Sequence, residues 1–168
     1  MKRQLIAGLG ASAIAVGLIA DFEGYRGRAY DDGVGVQTVG FGTTQIDGRP
    51  VRPGDTVTPE RAVVQLARDA DRIAQELAAC IGPVPLYRHE WDAYVSWAYN
   101  VGSAAACRST LTKKLKATLT PTLSPSERET LYADACRELL RWTRAGGREL
   151  PGLVKRRQAE YTQCIGGG

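Results

Sequence analysis

Four side chains able to do chemistry gather between positions 23 and 38: Glu23, Asp31, Asp32 and Thr38. Glycines at 24, 27, 33 and 35 separate them, and glycine lets a backbone turn tightly enough to bring such groups together. Two carboxylates beside a cleft can divide acid and base work on a glycosidic bond, one giving a proton to the leaving oxygen and the other remaining ionised. The same residue types also serve as solvated surface or as caps of turns and helices, so spacing alone leaves both readings open.

The surrounding pattern says what must position them. Residues 21–32 start as a short helix and pass into a glycine-rich turn region. The stretch from Val34 to Ile46, "VGVQTVGFGTTQI", reads as a small β-hairpin or meander, and Asp47 to Asp55 as loop. A long helix then starts at Pro59 with Thr58 as N-cap. Its apolar face carries Val63, Leu66, Ala67, Ala70, Ile73, Ala74 and Leu77, and it runs to near Cys80. A break at 82–86 precedes a helix over "RHEWDAYVSWAYNV", closed by Gly102. A shorter helix over "STLTKKLKATL", a helix capped near Ser126 and reaching Gly146 and Gly147, and a last helix ending at Cys164 complete the chain. The expected class is α+β and mostly α: residues 21–57 as a β-containing lobe, 58–80 as a linking helix and 81–165 as a helical lobe. Trp91, Trp97 and Trp142 read as core and His89 as surface.

Lys2 and Arg3 precede sixteen uncharged residues, Leu5 to Ala20, nine of them Gly, Ala or Ser. As a continuous helix this run would rise about 24 Å against a hydrocarbon core of about 30 Å, a marginal span. It reads as a cleavable signal peptide, a buried core helix or an uncleaved anchor; either membrane reading keeps the basic end cytoplasmic and exports the rest. The net charge of +4 and a pI near 9.0 favour an anionic partner. With no basic stripe or zinc-finger spacing, the pattern does not point to nucleic acid. Cys80, Cys107, Cys136 and Cys164 show no CxxC pair, and His89 is the only histidine, so neither a metal nor another cofactor is expected. Four cysteines allow two disulfides in three connectivities, which requires an oxidising compartment.

The stretch "EGYRGRAYDDGVGVQTVGFG" resembles the catalytic segment of the phage-type lysozymes, glycoside hydrolase family 24. Their pattern is Glu-Gly-x-Arg, Ala-Tyr-x-Asp, then Gly-x-x-Thr-x-Gly-[Tyr/Phe]-Gly. Glu, Asp and Thr at offsets of nine and fifteen fall on Glu23, Asp32 and Thr38, with Asp31 at the variable position. "WDAYVSWAYNVG", "CRSTLTKKL" and "ACRELLRWTRAGGRELPGLVKRR" resemble later parts of the family, so the match covers about residues 21–164. It implies a two-lobed lysozyme-like fold for residues 21–168 and an endolysin, a muramidase that cuts the β-1,4 bond between N-acetylmuramic acid and N-acetylglucosamine in peptidoglycan.

In that reading Glu23 is the general acid, kept protonated by partial burial or a neighbouring anion; Asp32 stays ionised; Thr38 helps to hold the water; and the anomeric carbon inverts. Tyr99, Asn100 and Thr110 match saccharide-facing positions, and Arg156 or Arg157 can pair with Glu23. Residues 1–20 resemble the segment of signal-anchor-release endolysins, which makes the uncleaved anchor the favoured reading. Such a chain is held on the periplasmic side of the host inner membrane, freed into the periplasm when a holin or pinholin collapses the potential, and works as a monomer without a direct holin contact. The anchor has no cysteine, so silencing is expected from topology and all four cysteines from structure, paired Cys107 with Cys136 and Cys80 with Cys164. A lytic transglycosylase would not need Asp32 and Thr38, and an inactive wall-binding protein would not need the set.

Overall fold

A computed structural model describes residues 2–6, 8–33 and 35–167. Met1 and Ala7 of the expected anchor, Val34 of the expected hairpin and Gly168 lie outside the described residues. The apolar run is not one helix here. Gln4–Leu5 (β1) pairs antiparallel with Pro85–Leu86, Ile6 is fully buried, and only Ala13–Glu23 (α1) is helical. Ser12 caps α1 by accepting from the amides of Ile14 and Ala15. Gly24, at φ 68°, closes it by donating its N–H to the Ala20 carbonyl. Among the described residues no helix is long and apolar enough to cross a membrane.

The β lobe differs from its sequence reading. Arg26–Asp31 (β2), expected as turn, is a strand and pairs with Gln37–Gly40 (β3). Gln45–Ile46 (β4) pairs with Arg49–Pro50 (β5), where loop was expected. Asp47 and Gly48, both at positive φ, form the tight Asp-Gly turn that favours such a hairpin.

Pro59–Ile81 (α2) comes next, with Thr58 as N-cap. Its buried face is Ala62, Leu66, Ala70, Ile73, Ala74, Leu77 and Ile81, whereas Val63 is exposed. The helical lobe comprises Pro85–Leu86 (β6), Arg88–Val101 (α3), Ser103–Arg108 (α4), Thr110–Ala117 (α5), Pro125–Glu138 (α6) and Pro151–Cys164 (α7). The helix expected to start near Ser126 and reach Gly146 is α6; it is capped by Ser124 and stops at Glu138. A 3₁₀ turn over Leu139–Arg141 succeeds it, and then the strands Arg144–Ala145 (β7) and Arg148–Glu149 (β8) turn at Gly146 and Gly147. Both glycines have positive φ, a conformation that suits a hairpin turn and not a helix interior.

Trp91 and Trp97 are fully buried in the main core with Ile6, Ala15 and Leu77; Trp142 packs edge-on against Trp97 at 5.3 Å. His89 is half-buried, stacked on Tyr87 with Nδ1 2.9 Å from the Cys164 carbonyl oxygen, and is not the free surface residue expected. A smaller cluster, Ile19, Leu66 and Ala70, carries Phe41 and Tyr99 at its rim.

All four cysteines are paired, but in the connectivity Cys80–Cys107 and Cys136–Cys164. The expected Cys107–Cys136 and Cys80–Cys164 bonds are therefore corrected. The reason is packing order. The end of α2 lies against α4 and α6 lies against α7, which sets the Cα atoms of each bonded pair 5.7 and 5.8 Å apart, within bridging reach. Each bond closes a loop of 27 or 28 residues, which on the chain-entropy account stabilises by roughly 3.5 kcal/mol. Non-reducing peptide mapping should recover these two linked pairs. Reduction should lower the unfolding free energy by several kcal/mol, read from denaturant titration with and without reductant.

Candidate active site

Glu23 is the last residue of α1, so the helix that buries Ala15 and Ile19 fixes where its carboxylate stands. The side chain is 24% exposed, and its Oε1 accepts from Nη1 of Arg156 at 2.7 Å. Of the two alternatives expected around Glu23, partial burial is present and no anion is recorded against it among the described residues; of Arg156 and Arg157, Arg156 makes the pair. Arg156 is itself nearly buried and divides its donors: Nε reaches Glu160 Oε1 at 3.1 Å and Nη2 the Ser96 carbonyl at 3.3 Å. Glu160 also accepts from Ser96 Oγ at 2.8 Å and faces Arg157 Nε at 3.0 Å. Both Arg157 and Glu160 are completely buried. Burial pushes the Glu160 carboxyl upward against the opposing pull of Arg157 and Arg156, and burial draws Arg157 down to about 10 despite Glu160. Two arginines thus answer two carboxylates, Glu160 inside and Glu23 at the edge.

The other side of Glu23 is backbone. A Cβ on Gly42 would sit 3.5 Å from Glu23 Oε2, and Gly42 holds φ at +89°. This turn comes directly after β3, which carries Thr38 buried at its second position. Thr38 pairs with Tyr30 across the β2–β3 ladder, and Asp32 directly follows the last residue of β2. The backbone N–H of Asp32 donates to the Val36 carbonyl at 3.1 Å, and its Oδ1 accepts from the Val36 N–H at 3.2 Å. Asp31 instead accepts from the amides of Gly33 and Gly35, at 2.7 and 3.1 Å, the work of a turn-forming aspartate.

Two depressions flank this region, one lined by Glu23 and the other by Gly42. One, of about 410 Å³, is lined by Phe22, Glu23, Asn100, Leu153 and Arg156. The other, about 450 Å³, runs between the β lobe and α2 past Gly42, Thr43, Gln65, Asp69, Arg72 and Tyr99. Tyr99 donates to the Phe41 carbonyl at 3.4 Å. Burial, then the charges of Asp69 and Glu23, raises its phenol well above the ordinary value, so it is a neutral donor at the cleft wall. Asn100 Oδ1 accepts from Arg157 Nη2 at 2.8 Å. Thr110 stands apart, as the exposed first residue of α5 beside the N-cap Ser109.

Sequence reasoning missed Asp69 and Thr43. Asp69 Oδ2 accepts from Thr43 Oγ1 at 2.6 Å and Oδ1 from Gln65 Nε2 at 3.2 Å, tying the β lobe to α2. The available signal was a carboxylate inside an apolar stripe, three residues after Leu66 and four before Ile73. Among the described residues no group of three or more His, Cys, Asp and Glu could hold a metal ion.

The phage lysozyme family model matches residues 20–160 of the chain. A SAR-endolysin of Bacteriophage PS119 is 30% identical, over 99% of this chain and 95% of that protein. An endolysin of Acyrthosiphon pisum secondary endosymbiont phage 1 is 36% identical over 85% and 89%. Among solved structures, the endolysin from Escherichia coli O157:H7 phage FAHEc1 superposes with a TM-score of 0.78 at 29% identity, covering 94% of each chain.

Removing one member of a buried ion network leaves its partner charge uncompensated. Arg156→Met should therefore lower the unfolding free energy by about 3–5 kcal/mol, measured by denaturant titration. Gly42→Ala should cost about 1–2 kcal/mol from the positive φ its backbone must keep, read as a lowered unfolding midpoint.

Proposed function

The chain belongs to the phage lysozyme family and is a glycoside hydrolase, and on that premise we propose how it works and where. It is an endolysin that hydrolyses the β-1,4 bond between N-acetylmuramic acid and N-acetylglucosamine in peptidoglycan. Glu23 protonates the leaving glycosidic oxygen. Asp32 remains ionised and activates the attacking water or stabilises positive charge developing on the sugar, and Thr38 helps to hold that water. The observation that carries this reading is the setting of Glu23. Its carboxylate is half-buried at a helix end, is held by Arg156, lines a depression and has Gly42 close to its other oxygen. Tyr99 and Asn100 line the two depressions on either side and contact the saccharide, Tyr99 as a neutral donor. The positive net charge suits an anionic wall polymer.

The same chain is first held at the host inner membrane through residues 5–20, facing the periplasm, and then released. Two features support this: the similarity to a SAR-endolysin along nearly the whole length, and the weakly apolar Gly/Ala/Ser-rich run behind Lys2 and Arg3. An inside-negative potential opposes outward movement of each of these charges by about 2.3 kcal/mol per 100 mV. Collapse of the potential removes that restraint. While the run lies in the bilayer, α1 does not exist as it stands here, and Glu23 lacks the helix that positions it.

Purified detergent-free protein should clear outer-membrane-stripped Gram-negative walls. Glu23→Gln should reduce clearing by about 10²–10⁴-fold, the usual contribution of a positioned acid, while the unfolding midpoint falls by less than in Arg156→Met because the Gln carbonyl can still accept from Arg156. Products carrying reducing ends support hydrolysis; anhydro-muropeptides would overturn it in favour of transglycosylation. Equal clearing by parent and variant would remove Glu23 from the mechanism.

A further inference from the structure

A densely partnered charge outside the active site is on the third residue of the chain. Arg3 is buried apart from a small fraction of its side chain, although only two residues precede it in the sequence. Its Nε and Nη2 address both oxygens of Glu90, at 3.2 and 2.8 Å, the paired geometry a guanidinium makes with a carboxylate. Nη1 donates to Glu129. The guanidinium carbon lies 3.7 Å from the ring centre of Tyr132 and 4.2 Å from that of Tyr87. The slot is thus made by the start of α3 and by α6, both in the helical lobe. Its walls are held independently of Arg3. Tyr87 N–H donates to Glu90 at 2.8 Å, and Tyr132 O–H donates to the Pro85 carbonyl at 2.8 Å.

From Arg3 onward the chain is fastened step by step. β1 adds to β6, and Ile6 enters the main core. The Gly10 carbonyl accepts from Arg88 Nη2 at 3.0 Å, and the Ala11 N–H donates to Asp71 Oδ1 at 2.7 Å. Ser12 then caps α1, whose last residue is Glu23. Contacts at residues 3–6 and 10–12, and the cap of α1, therefore lead from Arg3 toward the carboxylate.

We propose that Arg3 is a positioning residue for catalysis: its insertion between Tyr87 and Tyr132, onto Glu90 and Glu129, docks the N-terminal segment on the helical lobe and thereby sets α1 and Glu23. The proposal rests on the reading that residues 5–20 exchange between bilayer and protein body. It gives Arg3 two successive tasks. As a cation it orients the segment in the membrane, a task any basic residue performs. As a planar stacked fork it holds the released segment, a task lysine performs poorly. Lys2 is exposed and carries the first task alone.

The test uses the full chain with Arg3→Lys, which keeps the orienting charge, and with Glu129→Gln, an exposed partner whose change leaves the N-terminal segment untouched. Hydrogen exchange of released, detergent-free protein and wall-clearing kinetics are read side by side. In Arg3→Lys, amides of residues 4–6 and 9–16 should exchange at least tenfold faster while α3, α6 and α7 keep their protection. The kcat for clearing should fall at least fivefold with KM unchanged, because fewer molecules hold a formed site while each formed site binds as before. Glu129→Gln should move both readings in the same direction by less. Lys2→Arg should change neither. Parent-like exchange and kcat in Arg3→Lys overturn the proposal. Should Arg3→Lys lose protection throughout, Glu129→Gln decides, and parent-like behaviour there overturns it. If the parent itself clears no walls, the muramidase reading fails, while the exchange comparison still stands or falls on its own.

Discussion

A single ion pair, Arg156 with Glu23, joins the last helix to the first across 133 positions of sequence. Nearly everything around the cleft depends on its two ends being right. Arg156 is held from behind by Glu160 and Ser96, within a network that α3 and α7 build between them. Glu23 is held by the register of α1, which is set by Ala15 and Ile19 entering the core. The buried charges are matched only when all four members are present, so the network fixes a geometry more than it adds stability. Apolar residues of similar volume replacing all four members together could pack as well, yet would leave the helix end with nothing to aim at.

Under the proposed tether, a second constraint is that one stretch must suit two surroundings. A helix used only inside a globular protein would be amphipathic, with polar residues on its outer side. In α1 the outer side carries Ile14, 57% exposed, and Leu5 of β1 is similarly open. Small residues on the inner side let the segment lie close to α2 and α3: Ala11, Ala15 and Ala20 pack there beside Ile19. A composition weak for a membrane span is for the same reason well suited to close packing against protein.

Much of this architecture was legible because the underlying rules are local. Thr58, Pro59 and the apolar spacing locate α2 to within a residue of its end, and the helix over 88–101 is closed by a glycine as expected. The β lobe was harder. Strands of two residues, such as β4 and β5, are too short for alternation to register, and Asp47-Gly48 only marks a turn once its flanks are known to pair. Glu23, Asp32 and Thr38 were singled out by a family pattern and not by spacing, since carboxylates near glycine are common on surfaces. The disulfide pairing and the Arg3 slot depend on which helices become neighbours. Glu90 and Glu129 stand 87 and 126 positions from Arg3, and nothing local announces such partners.

Both disulfides lie between Cys80 and Cys164, entirely within the region from the end of α2 to the end of α7. Residues 1–79, which include α1, the β lobe and almost all of α2, carry no covalent cross-link. This division permits one particular order of assembly. Under the proposed tether, the helical lobe can fold, oxidise and become permanent outside the bilayer while its first helix is still in lipid. It would then wait as a finished mould, with Tyr87, Glu90 and Tyr132 already in register. The last event of folding, postponed from synthesis to the moment of lysis, would be the one that completes the enzyme.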